Sequence, residues 1–216
     1  MKPYQATVYP PIEEKFNIIS HGFGFVLSIV ATTMLLLKIN VFQNSTYTLS
    51  CAIYGFSLMI LYAASTLYHS AKKPKLRNRL NIFDHASIYV LIAGTYTPIC
   101  LITLEGKTGM ALLISIWAFG LIGVVLKLFF TGRYDKLSTW MYVFMGWMAL
   151  FAIKPLLANL ATSGLWWLLG GGIAYCIGAI LYSLPHRVKY NHAKFHVFVL
   201  AGSFGHFMSI YCWVLP

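Results

Sequence analysis

Residues 109–130 read GMALLISIWAFGLIGVVLKLFF, an apolar run whose one charged member is Lys127. An α-helix rises about 1.5 Å per residue, so about 20 apolar residues are enough to cross the hydrocarbon core of a bilayer. Lys127 lies near the end of the run, where a long side chain can snorkel to the membrane surface. The run therefore predicts a transmembrane helix.

The rest of the chain repeats this pattern. Of its 216 residues, 59% are hydrophobic and 10% are charged, whereas soluble domains carry about 25% charged residues. Continuous rather than alternating apolar runs exclude a membrane β-barrel. We predict an all-α bundle of seven transmembrane helices, in which residues 1–16 form an amino-terminal tail and 17–216 a single membrane domain. The approximate spans are 18–37, 47–70, 81–104 with a kink at Gly94 and Pro98, 109–130, 138–153 with an extension past Pro155 left open, 164–184 and 192–214.

The basic residues divide unequally between the two faces of this bundle. Thirteen of the 16 Lys and Arg residues fall on the face that carries the amino terminus, and Lys38, Lys107 and Lys154 fall on the other. The positive-inside rule predicts a cytoplasmic amino terminus and an external carboxyl terminus. The net charge of +11 does not indicate nucleic-acid binding, because these residues lie in short loops that meet anionic headgroups. Membrane lipids are the expected partners, and a homo-oligomer stays open.

Three histidines are predicted to lie at one depth near the cytoplasmic face. His192 and His196 stand four residues apart at the start of span seven and share a helix face, and His69 ends span two. Three imidazoles plus water form the open coordination pattern of a catalytic zinc site, and such ligands suit zinc better than copper(I) or an iron–sulfur cluster. We predict these three residues as zinc ligands. The other interpretation, polar side chains satisfied by loops and lipid phosphates, stays open.

Two further residues complete the predicted site. Asp84 is the one acidic residue that falls within a predicted span; the other four acids fall in the amino-terminal tail or in loops. An ionisable group within a span is costly and usually marks a functional site. Its carboxylate would hold or deprotonate a water on the metal, and Ser65, one turn from His69, would donate to that water or to the carboxylate. Asp84 and Ser65 are therefore the predicted catalytic residues.

Two other histidines, His206 and His21, each have two interpretations. His206 is ten residues beyond His196, about 15 Å farther along the helix, so it cannot share the metal. We interpret it as a packed, hydrogen-bonded core residue, with proton relay as the alternative. His21 ends span one on the cytoplasmic side, and whether it lines the site stays open. The run Gly170–Gly172 most simply permits close packing of helices.

Five ordered motifs spread over nearly the whole chain resemble one family. They are Glu14-x-x-Asn17-x-x-Ser20-His21, Ser65-x-x-x-His69, Phe83-Asp84-His85, Ala93-Gly-Thr-Tyr-Thr-Pro98 and His192-x-x-x-His196. Together they are similar to the bacterial hemolysin III proteins of the progestin and adiponectin receptor superfamily. The resemblance implies a seven-helix protein of the bacterial plasma membrane with a zinc site on the cytoplasmic side. It also implies zinc ligands at His69, His192 and His196, a zinc-bound water held by Asp84, and Ser65 as the serine of the superfamily's hydrolase motif.

The function has three candidate interpretations. The first is a zinc-dependent hydrolase of lipid amide or ester bonds, because the resemblance extends to receptors linked to ceramide hydrolysis and to membrane amide hydrolases. The bacterial branch has also been connected with membrane-lipid homeostasis. The second is a pore-forming or cytolytic protein, as the family name suggests, although no predicted helix shows a clear polar stripe. The third is a lipid or stress sensor whose zinc is structural.

Overall fold

The chain folds into a helical bundle with seven membrane spans. The computed structural model describes residues 4–132, 134–184 and 188–216, so Lys2, Arg133 and Arg187 of the charge count lie outside it. Within those ranges, seven segments are long and apolar enough to cross a membrane, which confirms the predicted architecture. The α-helices are α1 (Pro11–Asn40), α2 (Ser45–Ser70), α3 (Pro74–Pro98), α4 (Lys107–Phe130), α5 (Asp135–Gly146), α6 (Ile153–Asn159), α7 (Thr162–Ser183) and α8 (Asn191–Ser209).

Two helices begin earlier than the apolar pattern predicts. α1 begins at Pro11 and carries Glu13 and Glu14 in its first turn, where acidic side chains interact favourably with the helix dipole. α3 begins at Pro74, so most of the predicted basic loop before residue 81 is helical. Proline is well suited to the first helical turn because the missing N–H has no helical partner there. Hydropathy marks the part of a helix within lipid, whereas these helices extend beyond it.

Spans three and five depart from a regular α-helix close to Pro98 and Pro155. α3 ends at Pro98 and continues into a π-helical turn, Ile99–Thr103, and proline removes one backbone donor from the helical ladder at this point. The extension of span five past Pro155, which the sequence left open, is present. This span consists of α5, a 3₁₀ turn at Met148–Ala152 and α6.

Many polar side chains of the spans lie inside the bundle, and many large apolar side chains face outward. On α1, the buried residues include Asn17, His21, Ser28 and Thr32, while exposed residues include Phe23. The span that contains α3 is the most buried of the seven. Buried hydroxyls on these helices largely bond to carbonyls one turn earlier, as Thr32 does to Ser28 at 2.6 Å, which satisfies them without water.

Lys127 does not snorkel to the membrane surface. Its side chain is only 3% exposed, and it lines a cavity between the helices. The prediction from the sequence was wrong because the apolar run shows how far Lys127 is from the helix end, and not which way its side chain points.

One end of the bundle is covered by residues 4–10. We call it the histidine end; it is formed by the end of α2 and the beginnings of α3 and α8. Residues 4–10 lie across it, where the carbonyl of Thr7 accepts hydrogen bonds from the Tyr68 hydroxyl at 2.9 Å and from Arg77 Nε at 3.1 Å. The segment predicted as a tail is therefore packed against α2 and α3.

The connection between α3 and α4 gives a test of this packing. A Cβ on Gly109 would lie 2.3 Å from the backbone carbonyl oxygen of Cys100, which cannot rotate away. We expect Gly109→Ala to lower stability by about 1–3 kcal/mol through overpacking, measured as a lower melting temperature in detergent. Gly170→Ala is the matched control, since its Cβ meets nothing within 4 Å. Equal melting temperatures for the two variants would contradict this account of the turn.

Candidate metal centre

The three predicted ligand histidines meet at the histidine end. His192 Nε2 lies 3.2 Å from His69 Nε2 and 3.1 Å from His196 Nε2. Candidate ligand nitrogens of all three rings lie within 4.8 Å of one another, and the three residues are buried. Among the described residues, this is the group of His, Cys, Asp and Glu side chains that is able to hold a metal ion.

The outer partners of two rings determine which nitrogen carries the proton. His69 Nδ1 lies 2.7 Å from Glu14 Oε2, and an ionised carboxylate only accepts, so Nδ1 is the donor. His196 Nδ1 lies 3.3 Å from Ser20 Oγ, whose own proton is donated to the carbonyl of Asn17 at 3.1 Å. Ser20 therefore accepts from His196 Nδ1. In both rings Nε2 is left with its lone pair directed into the cluster.

Converging lone pairs in a buried site require a cation or shared protons to hold them together. Histidines that bind metals commonly donate the other ring N–H to a carboxylate, carbonyl or hydroxyl, which fixes the tautomer and the ring orientation. His69 and His196 have that arrangement here. The donor set and its outer partners therefore fit a transition metal.

Glu14 is the main residue of this centre that sequence reasoning missed. One carboxylate oxygen accepts from His69, and the other forms an ion pair with Arg77. Arg77 in turn places Nη1 3.4 Å from the carbonyl oxygens of Tyr68, His69 and Ala71 at the end of α2. The ion pair keeps Glu14 charged in a part-buried position, and the charged carboxylate fixes the tautomer of His69.

The signal for this role was present in the spacing of the first motif. Glu14, Asn17 and His21 recur at three- and four-residue intervals, and Ser20 is adjacent, which is the spacing of one helix face. All four contact the histidine cluster or its partners. The helical periodicity of polar residues before the apolar run could have predicted that α1 contributes to the site.

His192 is held by contacts from the start of α1. Its backbone N–H donates to Glu13 Oε1 at 3.1 Å, which supplies an acceptor at the beginning of α8. The Tyr9 ring stacks on its imidazole, with ring centroids 4.3 Å apart and planes 17° from parallel. Burial raises the pKa of Tyr9 above its ordinary value, so this phenol stays neutral beside the cluster.

Asp84 and Ser65 lie beside the three histidines rather than among the ligands. Both are buried and line the same cavity as His192, and Ser65 interacts with the Asp84 carboxyl group. The Ser65 hydroxyl also lies 2.7 Å from His21 Nδ1. The His21 ring stacks on His196 with centroids 3.6 Å apart, so His21 does line the site.

Two cavities flank the cluster. We call the first the apolar cavity: it has a volume of about 140 Å³ and extends between the helices from Ser65 and Asp84 to His206. We call the second the polar vestibule: it has a volume of about 300 Å³, and its lining includes Tyr4, Gln5, Thr7, Tyr9, Tyr68 and Asn81. His192, His85 and Tyr182 contribute to both. The cluster is thus bordered by an apolar space on one side and a polar space on the other.

Comparison with known proteins identifies relatives that span nearly the whole chain. A family model described as Haemolysin-III related matches residues 10–207. Hemolysin-3 of Bacillus cereus is 44% identical over 204 residues, which cover 94% of this chain and 93% of that protein. The Hemolysin-3 homolog of Bacillus subtilis (strain 168) is 42% identical and covers 94% and 96%. The human Monocyte to macrophage differentiation factor is 27% identical over 96% of this chain and 86% of its own length.

Metal content tests the centre directly. We expect about one transition-metal ion per purified chain, measured by mass spectrometry, and none in His192→Ala/His196→Ala, because a single remaining imidazole does not hold such an ion. His206→Phe serves as the control and should keep the metal. Wild-type protein that takes up no metal even after metal is added back would contradict the assignment.

The role of Glu14 has its own test. We expect Glu14→Gln to lower metal affinity by about 10- to 100-fold, the usual loss when an outer partner of a ligand histidine is removed. The measurement is metal retention during dialysis against increasing chelator concentrations. Glu105→Gln, an exposed acid in the turn before α4, is the control for loss of one negative charge. Unchanged retention in Glu14→Gln would show that the carboxylate does not orient His69.

Proposed function

Because the chain belongs to the haemolysin-III-related family of multi-pass membrane proteins, we propose that it is a zinc-dependent hydrolase of lipid amide or ester bonds. The observation that carries the proposal is the convergence of the three Nε2 atoms, two of them in the tautomer that binds a metal. The family's presence in bacteria and the excess of basic residues at the histidine end support a location in the bacterial cell membrane with this end in the cytoplasm.

Zinc is the proposed metal because of the donor set. His69, His192 and His196 would offer three neutral imidazole nitrogens, the number of protein ligands typical of catalytic rather than structural zinc sites. Thiolates, which would favour copper(I) or an iron–sulfur cluster, are not part of the cluster. A bound zinc ion would supply Lewis acidity, which polarises a carbonyl and lowers the pKa of water to about 7.

Asp84 would accept a proton from the attacking water, and Ser65 would donate a hydrogen bond during the reaction. In this proposal the Asp84 carboxylate orients the attacking water and accepts its proton, because it lies beside the cluster without belonging to the ligand set. The Ser65 hydroxyl, which is held by His21 at 2.7 Å, would donate to Asp84 or to the oxygen on which negative charge develops. His21 would position Ser65 and shield the cluster from lipid.

The two cavities support a lipid substrate. A lipid chain would occupy the apolar cavity, while the polar vestibule would admit water and release the polar product. The carbonyl of the lipid would then lie at the boundary, next to the histidines that both cavities share. Such an activity would adjust the composition of the membrane in which the protein lies and so serve membrane-lipid homeostasis.

The relatives' names favour a second candidate function. Two of them are called Hemolysin-3 or a homolog of it, which is consistent with a pore-forming or lytic protein. The packing favours the hydrolase, since Asn17, His21, Ser28 and Thr32 of α1 are buried in the bundle and the exposed part of its span is mainly apolar. A channel for water would need a polar lining of larger extent.

The Asp84→Asn variant tests the hydrolase. We expect it to keep its zinc and to lose lipid turnover by about 10²- to 10⁴-fold, the usual contribution of a general base. The measurement is release of fatty acid from a panel of amide- and ester-linked lipids by protein in nanodiscs, with Glu105→Gln as control. The proposal fails if Asp84→Asn cleaves every tested lipid as fast as wild type. Leakage of liposomes that persists in His192→Ala/His196→Ala would support the lytic candidate, and bound zinc without any turnover would support a sensor.

A further inference from the structure

Residues 4–10 cover part of the histidine cluster, and we call this segment the strap. Its Tyr9 ring stacks on His192 with centroids 4.3 Å apart, and the same ring has its centroid 5.7 Å from that of His69. Val8, the residue before Tyr9, is 74% exposed. The strap thus has one side against two of the three candidate ligands and another side that is accessible from outside the bundle.

The three candidate ligands are nearly inaccessible while the strap is in place. His69 is 3% exposed, His192 6% and His196 1%. A metal ion must lose most of its bound water and meet all three rings in order to be held by them. Since so little of these rings is accessible, an ion reaches them only when part of the covering structure moves away.

The polar vestibule is the route that favours an ion. Its lining is polar and includes His192, whereas the apolar cavity lies between the helices, where an ion loses its water without polar partners to replace it. Part of the vestibule wall is formed by the strap, through Tyr4, Gln5, Thr7 and Tyr9. Movement of the strap would therefore widen the vestibule and uncover His192 in one step.

Asn78 on α3 holds the strap at two points. Its Oδ1 accepts from the backbone N–H of Ala6 at 2.9 Å, and its Nδ2 donates to the carbonyl of Tyr4 at 2.9 Å. Three residues later, Asn81 Oδ1 accepts from the Tyr4 hydroxyl. Because residues three apart share a helix face, the two amides bind the strap to the same side of α3.

Little of the strap is buried. Within it Ala6 is buried, Tyr4 and Tyr9 are half-buried, and the other four residues are exposed. Hydrogen bonds therefore hold this segment more than apolar packing does. A segment of this kind opens at a lower free-energy cost than the whole protein unfolds, so the strap is able to detach while the spans stay packed.

We propose that the strap is a lid on the metal centre. It opens by releasing its hydrogen bonds to α3, lets a metal ion pass through the polar vestibule, and closes with Tyr9 on His192. The inference rests on the metal centre and does not depend on lipid hydrolysis. A lid that is closed nearly all of the time limits metal uptake and metal loss by the same factor, so loosening it speeds both and leaves the dissociation constant unchanged.

Rates of zinc exchange test the lid. A fluorescent zinc chelator reports zinc uptake by metal-free protein and zinc loss from loaded protein, both in nanodiscs. Asn78→Ala removes two hydrogen bonds and should raise both rates roughly 20-fold, and Tyr4→Phe removes one and should raise both roughly fivefold. The dissociation constants should stay as in wild type. Val8→Ser is the control within the strap, because this residue is exposed, and it should change neither rate.

A second measurement needs no metal. Diethyl pyrocarbonate modifies accessible imidazoles, and mass spectrometry of peptides gives the rate of modification at His192 in metal-free protein. This rate should rise in Asn78→Ala by the same factor as zinc uptake. His206, which lies inside the bundle against the carbonyl of Leu168, should react at an unchanged rate. If wild type binds no zinc, the metal centre fails, and the modification rates alone decide whether the strap is a lid.

Two results would overturn the inference. One is unchanged exchange and modification rates in Asn78→Ala. The other is faster zinc loss without faster uptake, because binding is then weaker and the strap only supports the ring of His192. Asn78→Ala must keep the size-exclusion profile of wild type. If it does not, Tyr4→Phe decides, since that change is confined to the strap itself.

Discussion

The carboxylate of Glu14 connects the parts of the histidine end. It joins α1 to Arg77 on α3 by an ion pair and to His69 on α2 by a hydrogen bond. Arg77 extends the connection to the last carbonyls of α2 and to Thr7. A part-buried charge near lipid is tolerated only when it is paired. Because the ionised Glu14 accepts a hydrogen bond from His69 Nδ1, the proton of the neutral ring is on Nδ1, and the Nε2 lone pair is directed into the cluster.

The low dielectric of the membrane explains why the polar residues gather in one place. Each polar side chain within a span must find a partner inside the protein, and the cheapest partners are other polar side chains at the same depth. Ser20 pairs with His196 Nδ1 and Ser65 with His21 Nδ1 in this way.

Much of the fold and half of the site follow from the sequence. Seven long apolar runs suffice for the spans, and the four-residue spacing of His192 and His196 suffices for a shared helix face. Topology then brings His69 to the same end. Contacts that depend on helix rotation and on polar helix extensions do not follow from hydropathy. Hydropathy placed Glu14 in a tail, although α1 begins at Pro11, and it turned Lys127 toward the surface, although this residue is buried. Helical periodicity applied to polar residues would have recovered Glu14 but not the orientation of Lys127.

The order of the helices along the chain has a consequence for biosynthesis. His69 is in α2, whereas His192 and His196 are in α8, and α8 packs beside α1, whose Glu13 accepts from His192 at its first turn. A nascent chain that has inserted its first six spans therefore contains one of the three ligands, with its carboxylate partner already beside it. The three rings come together only when α8 has docked against α1, so a metal ion would be bound after that last span is in place.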